Sequence, residues 1–248
     1  MAERWSPFSY IVTNLARFVR PHEVTFSGVN SALPMLACLL AKRAYDFDFT
    51  YINVAGGVDP EPSSVPLSSS DPVLAEKSAS IFANEDFYDL CTRGRMDLCF
   101  LGAAQVDGRG RTNVSAIGDW HAPKVRLPGG GGGAVMLPTA RRACTWRTEH
   151  STRTMVQTLD FVTASGGDAR GGMHGVVTPI AVFVNDGTRL VLDSWHPDVT
   201  LDDVIARTGF AVDASGAKPT PPPTDRERAA LRAIDPDGAF ERDTTIRS

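Results

Sequence analysis

The side chains that could do chemistry in this sequence are scattered, and none stands in a complete catalytic pattern. Asp59 and Glu61 lie in "GGVDPEPSS", directly after Gly56 and Gly57. A carboxylate there could act as nucleophile or base, and Pro60 and Pro62 stiffen it, but nothing in the sequence aims either acid at a cleft. His121, His150 and His174 fall near loops, and Ser151 follows His150. No G-x-S-x-G elbow exists to present a strained serine, so the histidines read as surface or packing residues. Cys38, Cys91, Cys99 and Cys144 show neither C-x-x-C spacing nor a histidine in zinc-ligand register. They read as buried, reduced thiols, and no metal site is expected.

Two glycine-bearing stretches carry more information. "YINVAGGVDP", residues 51–60, reads as a strand running into a tight turn. In α/β enzymes that is where a reactive side chain stands, yet Asn53, Val54 and Ala55 include no acid, base or nucleophile. The second stretch is "RLPGGGGGAVML", with glycines from Gly129 to Gly133. Five ordered glycines impose a large entropic cost. Flexible linkers have polar flanks, whereas this run is bounded by Leu127-Pro128 and an apolar Ala-Val-Met-Leu. Bare backbone N–H groups facing a ligand are the favoured reading, a structural turn the other. No Walker lysine follows, so a nucleotide fingerprint is weak. Arg126, three residues before the run, is either placed to hold a carboxylate or phosphate in bidentate fashion, should the loop cradle a ligand, or an ordinary surface ion-pair residue.

The elements that must position these residues follow from periodicity. A helix is expected over Ser9–Arg20, stopped by Pro21. "EVTFSG" is a strand ending at Gly28, and Leu33, Leu36, Ala37 and Leu40 mark a second helix with Pro34 in its first turn. "FDFTYINVAGG" is the next strand, so the rhythm is βαβ and the fold class an α/β open, mostly parallel sheet flanked by helices. A proline- and serine-rich irregular loop follows Asp59, then a helix over 84–93 and the strand "MDLCFLG". "QVDGRGRTN" has the Asp-Gly and Arg-Gly pairs of a tight hairpin or a surface turn. "VVTPIAVFVNDGTRLVLDSW" is a strand pair turning at Asn185-Asp186-Gly187, and "TLDDVIARTGF" a helix with a capping box from Thr200 to Asp203. Residues 1–215 form the domain. Residues 216–248, proline-rich and then charged, read as a C-terminal arm lying on a partner.

Composition is that of a globular chain: 248 residues, 42% hydrophobic, 22% charged, net charge -4. The mild acidity speaks against nucleic acid as a main partner. No apolar run is long enough to span a membrane, and "MAERWSPFSY" has no leader-like apolar region; a cytoplasmic location is expected.

Several stretches together carry a resemblance. "DLCFLGAAQVDGRGRTN", "RLPGGGGGAVML", "HSTRTMVQTLDFVTASG" and "GFAVDAS" occur in the order seen in β subunits of class I coenzyme A transferases. "GVVTPIAVFVNDGTRLVLDSWHPDVTLDDVIARTGF" resembles their C-terminal block, and the likeness runs from about Phe8 to Asp213. It implies a NagB/RpiA-type sheet domain that pairs with a homologous α subunit, commonly as an α2β2 heterotetramer. It also implies a β-subunit glutamate, in an E-(S/N)-G turn, that carries acyl and CoA groups covalently. That turn aligns with "NVAGGVD", and Val54 occupies the glutamate position.

A valine forms neither anhydride nor thioester. The departure resembles the branch of the family whose heteromers open the last steroid-derived ring of a cyclohexenone-carboxyl-CoA in actinobacterial cholesterol catabolism. The resemblance then implies that no catalytic residue resides in this chain and that the base is a glutamate of the α subunit. Coenzyme A enters within the substrate thioester, with no separate cofactor. Val54, Gly56, Gly57, Arg126, Gly130, Gly131 and Gly132 are the expected substrate-binding residues. The alternatives are a true CoA transferase that recruits Glu61, a non-catalytic scaffold subunit, and a Rossmann-type oxidoreductase.

Overall fold

The computed structural model describes residues 5–166 and 171–247; the first four residues of the stretch read as lacking a leader lie outside them. In chain order the elements begin α1 (Pro7–Ala16), β1 (Val24–Ser27), α2 (Ala32–Ala44), β2 (Thr50–Asn53), β3 (Gly57–Val58), β4 (Ser80–Ile81), α3 (Asn84–Thr92), β5 (Leu98–Gly102), β6 (Gln105–Asp107) and β7 (Thr112–Asn113). They continue with β8 (Ala116–Ile117), β9 (Val125–Arg126), α4 (Gly133–Thr139), β10 (Arg142–Trp146), β11 (Met155–Val156), β12 (Met173–Val177) and β13 (Ala181–Asn185). The last are β14 (Leu190–Trp195), α5 (Leu201–Arg207), β15 (Lys218–Pro219), α6 (Asp225–Ile234) and α7 (Ala239–Asp243).

One ten-stranded sheet organises the molecule, in the order β15-β14-β13-β12-β10-β5-β1-β2-β3-β4. Its middle, β2-β1-β5-β10-β12, is parallel throughout, as the βαβ rhythm requires. Helices cover both faces, so these strands are apolar on both sides rather than alternating. In β5, Leu98 and Phe100 enter one apolar cluster with α1 and α2, while Cys99 and Leu101 enter the other with α3 and α4. Each face is thus sealed from residues two apart on the same strand.

Local chemistry explains most boundaries. Ser6 caps α1, its Oγ accepting from the Ser9 N–H at 3.2 Å, with Pro7 in the first turn. α1 ends at Ala16, short of Pro21, because the chain tightens there: Phe18 N–H bonds to Leu15 O and Val19 N–H to Ala16 O. The expected capping box of α5 forms between Thr200 and Asp203. Strands beyond expectation complete the sheet: β10 at its centre, β12 ahead of the β13–β14 hairpin, and the short β3, β4 and β15 toward its two edges.

The segment expected to be an arm is part of the body. In α6 and α7, Ala230, Ile234 and Phe240 are buried in the cluster that α1 and α2 build. The apolar positions recur every three to four residues in "RAALRAI", a weak stripe that the charged residues around it obscure. An ion-pair network fastens it. Arg17 donates to both carboxylate oxygens of Glu227 at 3.0 Å, and Tyr45 Oη donates to the same carboxylate at 3.0 Å. Burial alone would raise the Glu227 carboxyl, but the Arg17, Thr224 and Tyr45 hydrogen bonds outweigh it and hold it below its ordinary value.

Replacing Glu227 with Gln removes the buried charge facing Arg17. It should cost about 1–3 kcal/mol, read as a lower urea midpoint, with faster amide exchange concentrated in α6 and α7. An unchanged midpoint with uniform protection would show that apolar packing alone holds the segment.

Candidate active site

The carboxyl ends of β1, β2, β5 and β10 open into one cleft of about 800 Å³. Gly28–Ser31 follow β1, Val54 follows β2, Gly102 ends β5 and is followed by Ala103 and Ala104, Trp146 ends β10 and is followed by Arg147 and Thr148, and all line it. This is the place where open α/β sheets bind ligands. Leu127–Gly133 close the opposite side, and Phe26, Phe87, Phe100, Leu101 and Met136 form apolar wall.

Asn53 shapes the turn that presents Val54. Its buried side chain accepts from the Ala55 N–H at 3.0 Å and the Gly57 N–H at 3.3 Å through Oδ1, and donates to Leu74 O at 2.8 Å. Gly56 has φ +96°, a backbone region that disfavours side chains. A Cβ on Gly57 would stand 2.6 Å from Leu74 O. Both glycines shape the turn from outside the cleft lining; only the half-buried Val54 reaches it.

The glycine run is an ordered loop that lines the cleft and leads into α4. Gly129 and Gly131 have φ of +98° and +44°, Gly132 has φ -67°, and Gly133 starts α4. The N–H groups of Gly130, Gly131 and Gly132 donate to no acceptor among the described residues. Left- and right-handed residues in succession turn neighbouring N–H groups toward one point, a concavity suited to negative charge. Tyr88 flanks it, since a Cβ on Gly132 would lie 3.0 Å from the phenol oxygen.

The lining has few ionisable groups. No Asp, Glu, His or Cys is among the described residues that form it; Tyr88 and Arg147 are the titratable ones. Arg147 Nη1 donates to Ala103 O at 2.6 Å, and burial pulls the guanidinium down from its ordinary pKa. The amino ends of α2 and α3 border the same space, which adds positive potential.

The structure therefore brings together Val54, Gly130, Gly131 and Gly132. It does not bring Arg126 to this cleft. That residue sits in the β8–β9 ribbon, exposed, with its guanidinium 4.6 Å over the Trp120 ring and Nη2 donating to Trp120 O at 3.3 Å. Three residues of spacing suggested proximity, but the hairpin carries the side chain off the glycine loop. Asp59 accepts from the Tyr51 N–H at 2.8 Å and pairs with Lys42 at 2.7 Å, and Glu61 is exposed in its loop; neither lines the cleft. His150 is buried between Thr178 and Thr208 at 2.8 and 3.0 Å, and Ser151 Oγ donates to Glu149. His174 lies at the opposite, amino end of the sheet, and His121 is exposed. All four cysteines are free and buried.

Arg147, Tyr88 and the role of Asn53 escaped sequence reasoning. Reading "RRACTWRT" as a strand would have put Arg147 at a carboxyl end, because it follows the last residue of β10. Tyr88 gave no such signal: it reaches the cleft by the packing of α3 beside α4.

An open parallel sheet whose strand ends meet a glycine concavity defines an α/β ligand-binding cleft. The chain matches the coenzyme A transferase family over residues 9–207 and belongs to that family. It is 34% identical over 235 residues, 89% of each chain, to a subunit of the 3-oxoadipate CoA-transferase of Pseudomonas knackmussii. It is 29% identical over 175 residues to the cholesterol ring-cleaving hydrolase IpdB subunit of Rhodococcus jostii, covering 64% of this chain and 67% of that one. Among solved structures, the decarboxylase AibA/AibB superposes with a TM-score of 0.88 at 31% identity, covering 96% of this chain and 98% of that one. IpdAB of Rhodococcus jostii RHA1 superposes at 0.82 with 23% identity, covering 98% and 100%, a likeness of fold. These relatives are named as enzyme subunits or as two-component assemblies, and the chain is of the β-subunit type. No helix among the described residues is long and apolar enough to cross a membrane.

His150 offers a test of its structural role. Burial lowers its pKa to about 4, beneath an unfolded value of about 6.5. The unfolded chain protonates first, so stability is full above about pH 6.5 and falls as pH drops toward 4. His150→Asn should flatten part of that fall, measured as the difference between urea midpoints at pH 7 and pH 5. An unchanged difference would contradict the assignment.

Proposed function

We propose that this chain is the β-type subunit of a heteromeric hydrolase that breaks a carbon–carbon bond in a cyclic keto acyl-CoA, the last steroid-derived ring in cholesterol breakdown, without covalent transfer of CoA. One observation carries this reading. The tip of β2 presents Val54 to a cleft whose described lining residues include no carboxylate, histidine or cysteine. The covalent route of the family needs a carboxylate nucleophile at that point.

In the proposed reaction, water attacks a ring ketone and gives its proton to a base. That base is a glutamate of the homologous α subunit, in an α2β2 assembly. The carbonyl oxygen becomes an oxyanion, and the unpaired N–H groups of Gly130, Gly131 and Gly132 are suited to hold it. When the oxyanion reforms a carbonyl, the carbon–carbon bond breaks. The electron pair passes to the carbon between the carbonyls, which takes up a proton and leaves a ring-opened acid. Val54, Phe26, Phe87 and Phe100 offer the ring carbons an apolar wall. Relatives named for decarboxylation and for ring cleavage both break carbon–carbon bonds, which supports this reading.

A second reading, a true CoA transferase, is favoured by the 34% identity to a 3-oxoadipate CoA-transferase chain. One experiment separates the outcomes. The heteromer formed with the α-type partner is incubated with cyclic keto acyl-CoA in ¹⁸O-water, and the products are weighed by mass spectrometry. One ¹⁸O atom in a ring-opened CoA ester is expected. Loss of carbon dioxide without label would indicate a decarboxylase, and CoA exchange onto added carboxylic acid a transferase.

A further inference from the structure

We propose that the amino end of the sheet carries a second binding site, separate from the cleft, and that it takes an oligophosphate: the phosphate chain of a nucleotide or its inorganic counterpart.

Position is the first observation. Arg109 and Arg111 stand at the β6–β7 hairpin, Arg141 immediately before β10, Arg142 as its first residue and His174 in β12. With Thr188 of the β13–β14 turn they line a cavity of about 700 Å³, a size that suits a small molecule rather than a lone ion. β10 and β12 run parallel, and these are their amino ends. The cleft opens at the carboxyl end of β10, beside Trp146, so the length of that strand separates the two spaces.

Charge is the second. No Asp or Glu is among the described residues of the lining. Arg111 pairs with Asp107 at 2.6 Å, Arg141 with Asp97 at 2.9 Å and Arg142 with Glu23, all acids outside the lining. Arg109 has no acid within ion-pair distance among the described residues, and Arg20 Nη2 lies 3.4 Å from His174 Nε2. Five guanidinium groups thus stand against three carboxylates, in a chain whose net charge is -4. A concave space walled by one sign of charge concentrates ions of the other. Burial, and then the charges of Arg142 and Arg20, lower the His174 pKa to about 4; its ring is neutral at pH 7 and adds a hydrogen-bonding group without charge.

Access divides the arginines. Arg142 is held from below, Nη2 donating to Phe18 O and to Glu23, while its Nε and Nη1 are closed to solvent. It acts on the cavity through its field. Contact falls to Arg109, Arg111 and Arg141, whose side chains remain accessible. Three planar forks around one space match a chain of phosphates, with several oxygens each, better than a single carboxylate.

The test is titration calorimetry of the heteromer with inorganic tripolyphosphate, ATP and orthophosphate. Tripolyphosphate should bind at one per copy of this chain, at least about tenfold more tightly than orthophosphate. Arg109→Gln and Arg141→Gln, both exposed positions, should each weaken it about tenfold. Arg153→Gln, an exposed arginine beyond the carboxyl end of β10, should change it less than about twofold. Saturating valeryl-CoA, which occupies the cleft, should leave the tripolyphosphate isotherm unchanged. ATP binding tighter than tripolyphosphate would support the site as one for nucleotides, and ATP binding equally or less tightly as one for inorganic chains. No binding of tripolyphosphate or ATP by the wild-type heteromer would overturn the proposal. So would equal weakening by Arg153→Gln, which indicates diffuse attraction, or displacement by valeryl-CoA, which places the anion in the cleft.

Discussion

Asn53 is fully buried at the end of β2, and its amide meets three backbone groups at once. It accepts the N–H groups of Ala55 and Gly57 and donates to Leu74, which ties the strand tip to the chain beyond the proline-rich loop. Removing that amide would leave three buried polar groups to find other partners. The turn it enforces decides what the chain offers the cleft, because it turns Gly56 and Gly57 away and leaves Val54 facing in. The rest of the site is arranged around that choice. On the proposed reading Val54 takes the place of the family's nucleophile, and the chemistry in the cleft is driven from elsewhere.

On that reading this chain supplies a setting rather than a reactive group. Parallel strands converge at one end of the sheet, and the loops after β1, β2, β5 and β10 define a single space. Apolar wall lowers the local dielectric, which strengthens any hydrogen bond made inside. Unpaired glycine amides, the amino end of α2 and one arginine make that space receptive to negative charge. A second polypeptide that brings a base across the interface would complete it.

The fold was legible in the sequence wherever hydrophobic period and turn chemistry agreed. β1, α2, β2 and α5 follow from βαβ spacing, glycine turns and a capping box. β10 was hidden because arginine and threonine interrupt "RRACTWRT", although it lies at the centre of the sheet, and with it Arg147 was hidden too. The C-terminal segment misled through composition: its prolines and charges suggest an arm, but Ala230, Ile234 and Phe240 bury against α1 and α2. In the site, Val54 and the glycine run could be found from their unusual residue types. Arg126 looked equally well placed by spacing, yet a two-stranded ribbon carries it onto Trp120. Sequence distance does not record which way a hairpin turns.

On the proposed reading, no CoA ester forms on this polypeptide during turnover. The direct measurement is the intact mass of the chain after the heteromer has been incubated with acyl-CoA and quenched with borohydride, which reduces a glutamyl thioester to an alcohol. The unmodified mass is the expected result, with activity retained after the treatment. A mass change mapped to any carboxylate of this chain, accompanied by loss of activity, would instead show a covalent CoA transferase.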